Sequence, residues 1–192
     1  MIIVAAGRSR SASTLLYNII RLTLSEVMGS GNVYGTILRN YNKKDPRDCH
    51  VIKTHGHDEY LYDNADYVFS SAREELGQRL SILRHQKLQI DKNLTSGQLD
   101  KIVNHDYKRY LRWKSHKNFK STFEFEKIIN DKEFIISSIC NTLDLIVPGD
   151  IQIVLDDLNS LNLPDSGVDP VTGLTSHHIT NEKYRVKSCR TV

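Results

Sequence analysis

Apolar residues run without a break from Ile2 to Ala6, the pattern of a strand covered on both faces in a parallel sheet. Residues 7–13 hold glycine, serine and arginine and cannot extend it. Over 14–23 apolar positions return at helical spacing, with Leu15, Ile19 and Leu22 beside Leu16 and Ile20. The chain therefore opens as strand, loop, helix. Short strands are expected over 50–53, ending at Thr54-His55-Gly56, and over 66–71 (DYVFSS). A helix over 74–84 places Leu76, Leu80 and Leu83 on one side. A longer, polar helix over 95–113 is expected to bury Leu99, Ile102, Val103, Tyr107, Tyr110 and Leu111. Residues 121–126 alternate like a strand. Helices follow over 131–143 and 150–161, the second introduced by Pro148-Gly149-Asp150 as stop and N-cap. From Pro164 onward the residues favour loop.

Strands alternating with helices define an α/β fold class, a single domain over 1–192 with a mainly parallel β-sheet flanked by helices and a loop-rich C-terminal segment over 164–192. Ligands in such sheets bind beyond the carboxyl ends of the strands. Composition alters this picture little. The 39% hydrophobic and 26% charged residues are those of a globular chain, and a net charge of +3 admits an anionic ligand. No concentrated basic stripe argues for nucleic acid. Cys49, Cys140 and Cys189 are scattered and form no CxxC, which suits a reducing cytoplasm and offers no structural zinc site. The opening apolar run is too short for a signal-peptide core, and no later run approaches the ~18 residues of a membrane span. The expectation is a cytoplasmic protein without membrane or nucleic-acid partners, its oligomeric state open.

Three residue groups fall at strand ends. Gly7-Arg8-Ser9-Arg10-Ser11-Ala12-Ser13-Thr14 joins the first strand to the first helix. Small residues there let backbone N–H groups converge, and the helix start adds positive potential, which suits a phosphate. The spacing is near a Walker A loop, yet Ala12 replaces its second Gly and Ser13 its Lys. Lys53-Thr54-His55 ends the second strand, where His55 is a candidate general base. Arg73 ends the third, with Ser81 two helical turns on, a pair able to hold a phosphate by charge-assisted hydrogen bonds. Each group alone also reads as ordinary surface: a solvated turn, an exposed histidine, an arginine paired with Glu74 or Glu75.

Together they resemble the PAPS-dependent sulfotransferase superfamily, whose donor is 3′-phosphoadenosine 5′-phosphosulfate (PAPS). Arg10-Ser11-Ala12-Ser13-Thr14 matches the family's phosphosulfate loop [KR]-S-G-[ST]-T except at Ala12, and Lys53-Thr54-His55 matches its K-[TS]-H. Arg73 and Ser81 have the spacing of its 3′-phosphate motif, and Phe123-Glu124-Phe125-Glu126 is similar to its Y-E-D-L segment. The C-terminal R-K-G-x-x-G-D-W-K-N-x-F-T string is missing, leaving Arg185, Lys187, Arg190 and His177-His178 unaligned. Leu15 stands where an aromatic often follows the loop, and the K-x-x-x-T-V-x-x-x-E dimer motif is absent.

The resemblance implies a P-loop NTPase-like sulfotransferase fold and transfer of a sulfuryl group from PAPS to a hydroxyl or amine, leaving adenosine 3′,5′-bisphosphate. His55 would be the catalytic base, with Arg10 and Lys53 also catalytic. Arg8, Ser9, Arg10, Ser11, Ala12, Ser13 and Thr14, with Arg73 and Ser81, would bind the donor. No metal is implied, and His55-Gly56-His57 with Asp58 is only a weak metal pattern. The acceptor is a small molecule or a glycan, with Tyr60, Tyr62, His85, Trp113 and His116 as candidate lining. A degenerate P-loop kinase, a non-catalytic nucleotide-binding member of the fold and a plain basic contact surface remain alternatives.

Overall fold

The computed structural model describes residues 1–90 and 93–176. Its centre is the strand predicted first. β1 (Ile2–Ala6) lies between β3 (Cys49–Thr54) and β4 (Tyr67–Ala72), and β2 (Val33–Ile37) and β5 (Phe119–Glu124) form the two edges. The order is β2-β3-β1-β4-β5, and every pairing is parallel. The α/β class is thus as expected, with a sheet that is parallel throughout.

The period-2 alternation of each strand divides the core into two layers. Ile3, Ala5, Cys49, Val51, Phe69 and Phe123 face α1 (Ser13–Met28) and the late helices α5 (Phe125–Asn130), α6 (Lys132–Thr142) and α7 (Ile151–Ser160). Val4, Ala6, Ile52 and Val68 face Leu61 and Ala65, from α2 (Glu59–Asn64) and its end, and Trp113 on α4 (Ser96–Lys114). Each fully buried aliphatic side chain contributes roughly 1.5–3 kcal/mol, so β1, with Ile3 and Val4 wholly buried, is fixed firmly at the centre.

The chain leaves β1 toward β2 and leaves β4 toward β5, in opposite directions. Their carboxyl ends therefore diverge, opening the crevice that such a reversal creates.

Several expectations need correction. The last strand is Phe119–Glu124, and Phe125 begins a helix rather than continuing an alternating run. β2 and α2 were not predicted. Gly35 interrupts the apolar pattern of β2, and a Cβ there would collide with the Arg21 side chain. On α4, Ile102, Tyr107 and Leu111 are exposed, while Leu99, Val103, Asp106 and Trp113 are buried. The same happens on α3 (Glu75–Ile90), where Leu76 and Leu80 face outward and Gln78 is fully buried. Both helices turn polar groups inward because the loop after β1 supplies partners for them.

Candidate active site at the carboxyl ends of the strands

Register sets the site. Ala6 pairs with Thr54, which puts the first loop beside His55 on one side, and the Arg8 N–H donates to the Ser71 carbonyl on the other. Gly7 makes this approach possible, since a Cβ at that position would strike Ser71 Oγ and Ser13 Cβ. The loop then coils through two left-handed residues, Arg10 (φ 63) and Ala12 (φ 60). At Ala12 this backbone costs an L-residue about 1–2 kcal/mol that glycine avoids. No side chain caps α1 and its first turn holds no acid, so the amide ends there face the crevice with their positive potential intact.

The loop residues divide by role. Ser11 is fully buried, with its hydroxyl bonded to the Arg8 carbonyl and to the carbonyl and hydroxyl of Ser71. Ser9 gives its N–H and hydroxyl to the buried Asp106 carboxylate (2.9–3.1 Å), which also accepts from Gln78 Nε2 at 2.6 Å. Arg8 Nε lies 3.8 Å from Asp106, and its guanidinium sits over the Tyr107 ring. Arg8, Ser9 and Ser11 therefore brace the loop against β4, α3 and α4. Arg10, Ser13 and Thr14 stand at its crevice side or at the start of α1.

Two groupings flank the loop. In the first, Lys53 and His55 share the face of β3 that looks toward α1. His55 Nδ1 lies 2.8 Å from the Gly7 carbonyl, an acceptor only, so this nitrogen carries the proton. Nε2 faces Lys53 Nζ at 3.3 Å and Ser13 Oγ at 3.4 Å. Burial lowers the Lys53 ammonium to a pKa of about 8. The spacing of K-T-H suggests alternate directions for neighbours, and Lys53 and His55, two residues apart, point the same way.

In the second grouping, Arg10 Nε donates to Ser81 Oγ at 3.2 Å across 71 residues of sequence. Burial and the nearby Arg73 charge both lower the Arg10 pKa. The Arg73 guanidinium lies 3.9 Å from the Phe125 ring centroid, with its pKa lowered by burial and raised by Glu126 and Glu74. Arg10 and Arg73 are thus near enough to repel, with the Ser81 hydroxyl bonded to one of them, an arrangement whose chemistry suits a multiply charged anion. The structure joins Arg10 to the Arg73–Ser81 pair and leaves Lys53, Ser13 and His55 as a separate cluster.

Residues 168–175 pack over the β2 and β3 ends, a wall that sequence reasoning missed because the segment has no periodicity. The Pro170 carbonyl accepts from Ile37 N and Thr36 Oγ1, the Val171 carbonyl from Tyr17, and the Thr172 carbonyl from Asn18 Nδ2. At Gly173, with φ +65, an added Cβ would come within 3.1 Å of Lys53 Cδ and 3.2 Å of Ile37 Cγ2. His177, His178, Arg185, Lys187, Cys189 and Arg190 lie outside the described residues.

Of the suggested acceptor lining, Trp113 and His116 are core. Trp113 donates to the Gly56 carbonyl at 2.8 Å, and His116 Nε2 meets the Tyr62 carbonyl at 2.6 Å. Tyr60 is exposed, and His85 is half-buried on α3. Among the described residues no group of three His, Cys, Asp or Glu side chains is placed to hold a metal ion, and no helix is long and apolar enough to cross a membrane. No protein-family model matches the chain, and no curated protein matches its sequence.

Proposed function

We propose that the protein transfers a sulfuryl group from PAPS to an acceptor hydroxyl or amine at the carboxyl end of its sheet. The observation that carries this reading is an imidazole held through Nδ1 by the Gly7 carbonyl, with the Arg10–Ser81 pair beside Arg73 on the other side of a helix start that has no side-chain cap. A donor with phosphates at both ends of an adenosine asks for such a division. Arg10, Arg73 and Ser81 would hold the 3′-phosphate. The start of α1, with Ser13 and Thr14, would face the 5′-phosphosulfate.

In the reaction the acceptor oxygen or nitrogen forms a bond to sulfur as the bond from sulfur to the 5′-phosphate oxygen breaks. The acceptor's proton passes to His55 Nε2, and the Gly7 carbonyl steadies the resulting imidazolium through Nδ1–H. Charge gathering on the departing phosphate is met by the helix start and by Lys53, preorganised donors of the kind that lower such barriers. Phosphoryl transfer would need an acidic magnesium ligand at a strand end. The residues that follow β3 and β4 are His55 and Arg73, the nearby carboxylate of Asp106 is spent on Ser9 and Gln78, and the acid that ends a strand, Glu124, lies on the edge strand β5.

Calorimetry with adenosine 3′,5′-bisphosphate, AMP and ATP, without magnesium, tests the reading. The bisphosphate should bind most tightly, and Arg10→Ala or Arg73→Ala should each weaken it by about tenfold or more, a loss of ~1.4 kcal/mol upward for a charge-assisted contact. Equal affinity for AMP, or ATP binding that requires magnesium, would replace sulfuryl transfer with a degenerate kinase site.

A further inference from the structure

Arg73, Gly77 and Ser81 are spaced by four residues, which sets them in one row along α3 and the turn that leads into it. Two members of the row are tied to the first loop: Ser81 accepts from Arg10, and Arg73 is close enough to lower the Arg10 pKa. Gly77 has no side chain to offer. It is buried in the first turn of α3, although glycine is the poorest helix former after proline.

What the missing side chain leaves room for explains the choice. A Cβ at Gly77 would come within 2.8 Å of Arg73 Nε, 3.1 Å of Glu74 Oε1 and 3.4 Å of Arg73 Cζ. These nearest neighbours are the ends of side chains, which can move aside. A methyl group there would therefore displace the guanidinium and spare the helix. Gly97, in the first turn of α4, makes the contrast: a Cβ there meets nothing within 4 Å.

A second contact fixes the guanidinium. Its carbon lies 3.9 Å from the centroid of the Phe125 ring, inside the roughly 6 Å reach of a cation–π attraction. Phe125 is the first residue of α5 and follows directly on β5, the strand paired with β4, so the sheet itself carries the ring to Arg73. Burial lowers the Arg73 pKa while Glu126 and Glu74 raise it, yet among the described residues neither acid closes to a salt bridge with it. Arg73 is thus held by a ring and by a gap in a helix, with its charge not committed to a carboxylate.

We infer that Gly77 and Phe125 are positioning residues, which hold the Arg73 guanidinium where it takes the donor's 3′-phosphate and so set the preference for adenosine 3′,5′-bisphosphate over AMP. The phosphate rests on the proposed sulfuryl transfer; the placing of Arg73 stands apart from it. The test compares the native chain with Gly77→Ala, Phe125→Leu and Gly97→Ala by calorimetry with the two nucleotides, by thermal midpoint, and by NMR of the Arg73 Nε–H in isotope-labelled protein. That resonance is identified by its loss in Arg73→Lys, and it reports stacking because an aromatic ring current shifts a proton held over the ring. Gly77→Ala and Phe125→Leu should each weaken the bisphosphate by about tenfold or more and leave AMP within about twofold. Both should move the Arg73 resonance toward that of an unstacked arginine. Gly77→Ala should keep the native thermal midpoint or exceed it, and Gly97→Ala should change neither binding nor the resonance. Native selectivity in a folded Gly77→Ala, with the resonance unmoved, overturns the inference and leaves sulfuryl transfer standing. Equal loss of both nucleotides with a lowered midpoint also overturns it, since Gly77 would then serve packing alone. If the native chain does not prefer the bisphosphate, the transferase reading falls, and the resonance alone decides whether Gly77 and Phe125 place Arg73.

Discussion

At His55 the two ring nitrogens face different neighbours, the Gly7 carbonyl at Nδ1 and Lys53 with Ser13 at Nε2, and the proposed role as base predicts what a substitution does. Asparagine can still donate a hydrogen bond to the Gly7 carbonyl but cannot accept a proton. His55→Asn should leave bisphosphate affinity within about twofold, because the imidazole is remote from Arg10 and Arg73 in function, and should cut transfer by about 10²–10⁴. Release of adenosine 3′,5′-bisphosphate from PAPS with a pool of hydroxyl and amine acceptors measures this; near-native turnover would remove the base. Lys53 predicts a stability effect. Its pKa falls from 10.5 to about 8 on folding. Between these values the unfolded chain holds the proton that the folded chain has shed, so this group raises stability as pH climbs through the window. Below about 8 both states are charged and the burial cost is felt in full. Lys53→Met should therefore be more stable than the native chain at pH 7, by roughly 1–3 kcal/mol. The gap should close as pH approaches 10.5. Urea titrations at several pH values give the comparison, and a constant gap would mean Lys53 keeps its ordinary pKa. His55 and Arg73 are expected from sequence because they follow strands, Arg10 because it lies in the first loop, and Ser81 by its spacing from Arg73. Their division into two groupings is not, since it depends on an Arg10–Ser81 contact between distant residues.

Elements that bury polar faces hold the loop in place. Asp106 is the centre of this arrangement, with three donors from Ser9 and Gln78 and the Arg8 guanidinium nearby. Removing a buried carboxylate strands its donors and leaves a cation unopposed. Asp106→Ala should lose about 2–4 kcal/mol in a urea titration; a loss under about 1 kcal/mol would show that the loop stands without α4. Hydrophobic periodicity could not reveal this face. On α4 the apolar residues Ile102, Tyr107 and Leu111 compete with Asp106 for the inside and lose, because an apolar side chain can remain in water at modest cost whereas the loop's N–H and guanidinium groups need an acceptor. The unbroken apolar run of β1 and the apolar spacing over α1 carried a clear signal, whereas α3 and α4, which turn Gln78 and Asp106 inward, did not.

Across the molecule, the parallel sheet followed from its continuous apolar strands. Its order did not, because β2 is short and broken by Gly35 and because pairing depends on contacts between distant segments. The placement of β1 at the centre sets the first loop between the ends of β3 and β4: Thr54 leads to His55 and Ala72 to Arg73, while Ile37 at the end of β2 meets the wall formed by Pro170 and its neighbours. That wall has a consequence for how the site matures on the ribosome. The loop, both arginines and His55 all belong to the first half of the chain, but the carbonyls of Pro170, Val171 and Thr172 that accept from Thr36, Ile37, Tyr17 and Asn18 come from its last quarter. On the ribosome these bonds can close only after all five strands have been synthesised, so this side of the loop is completed last.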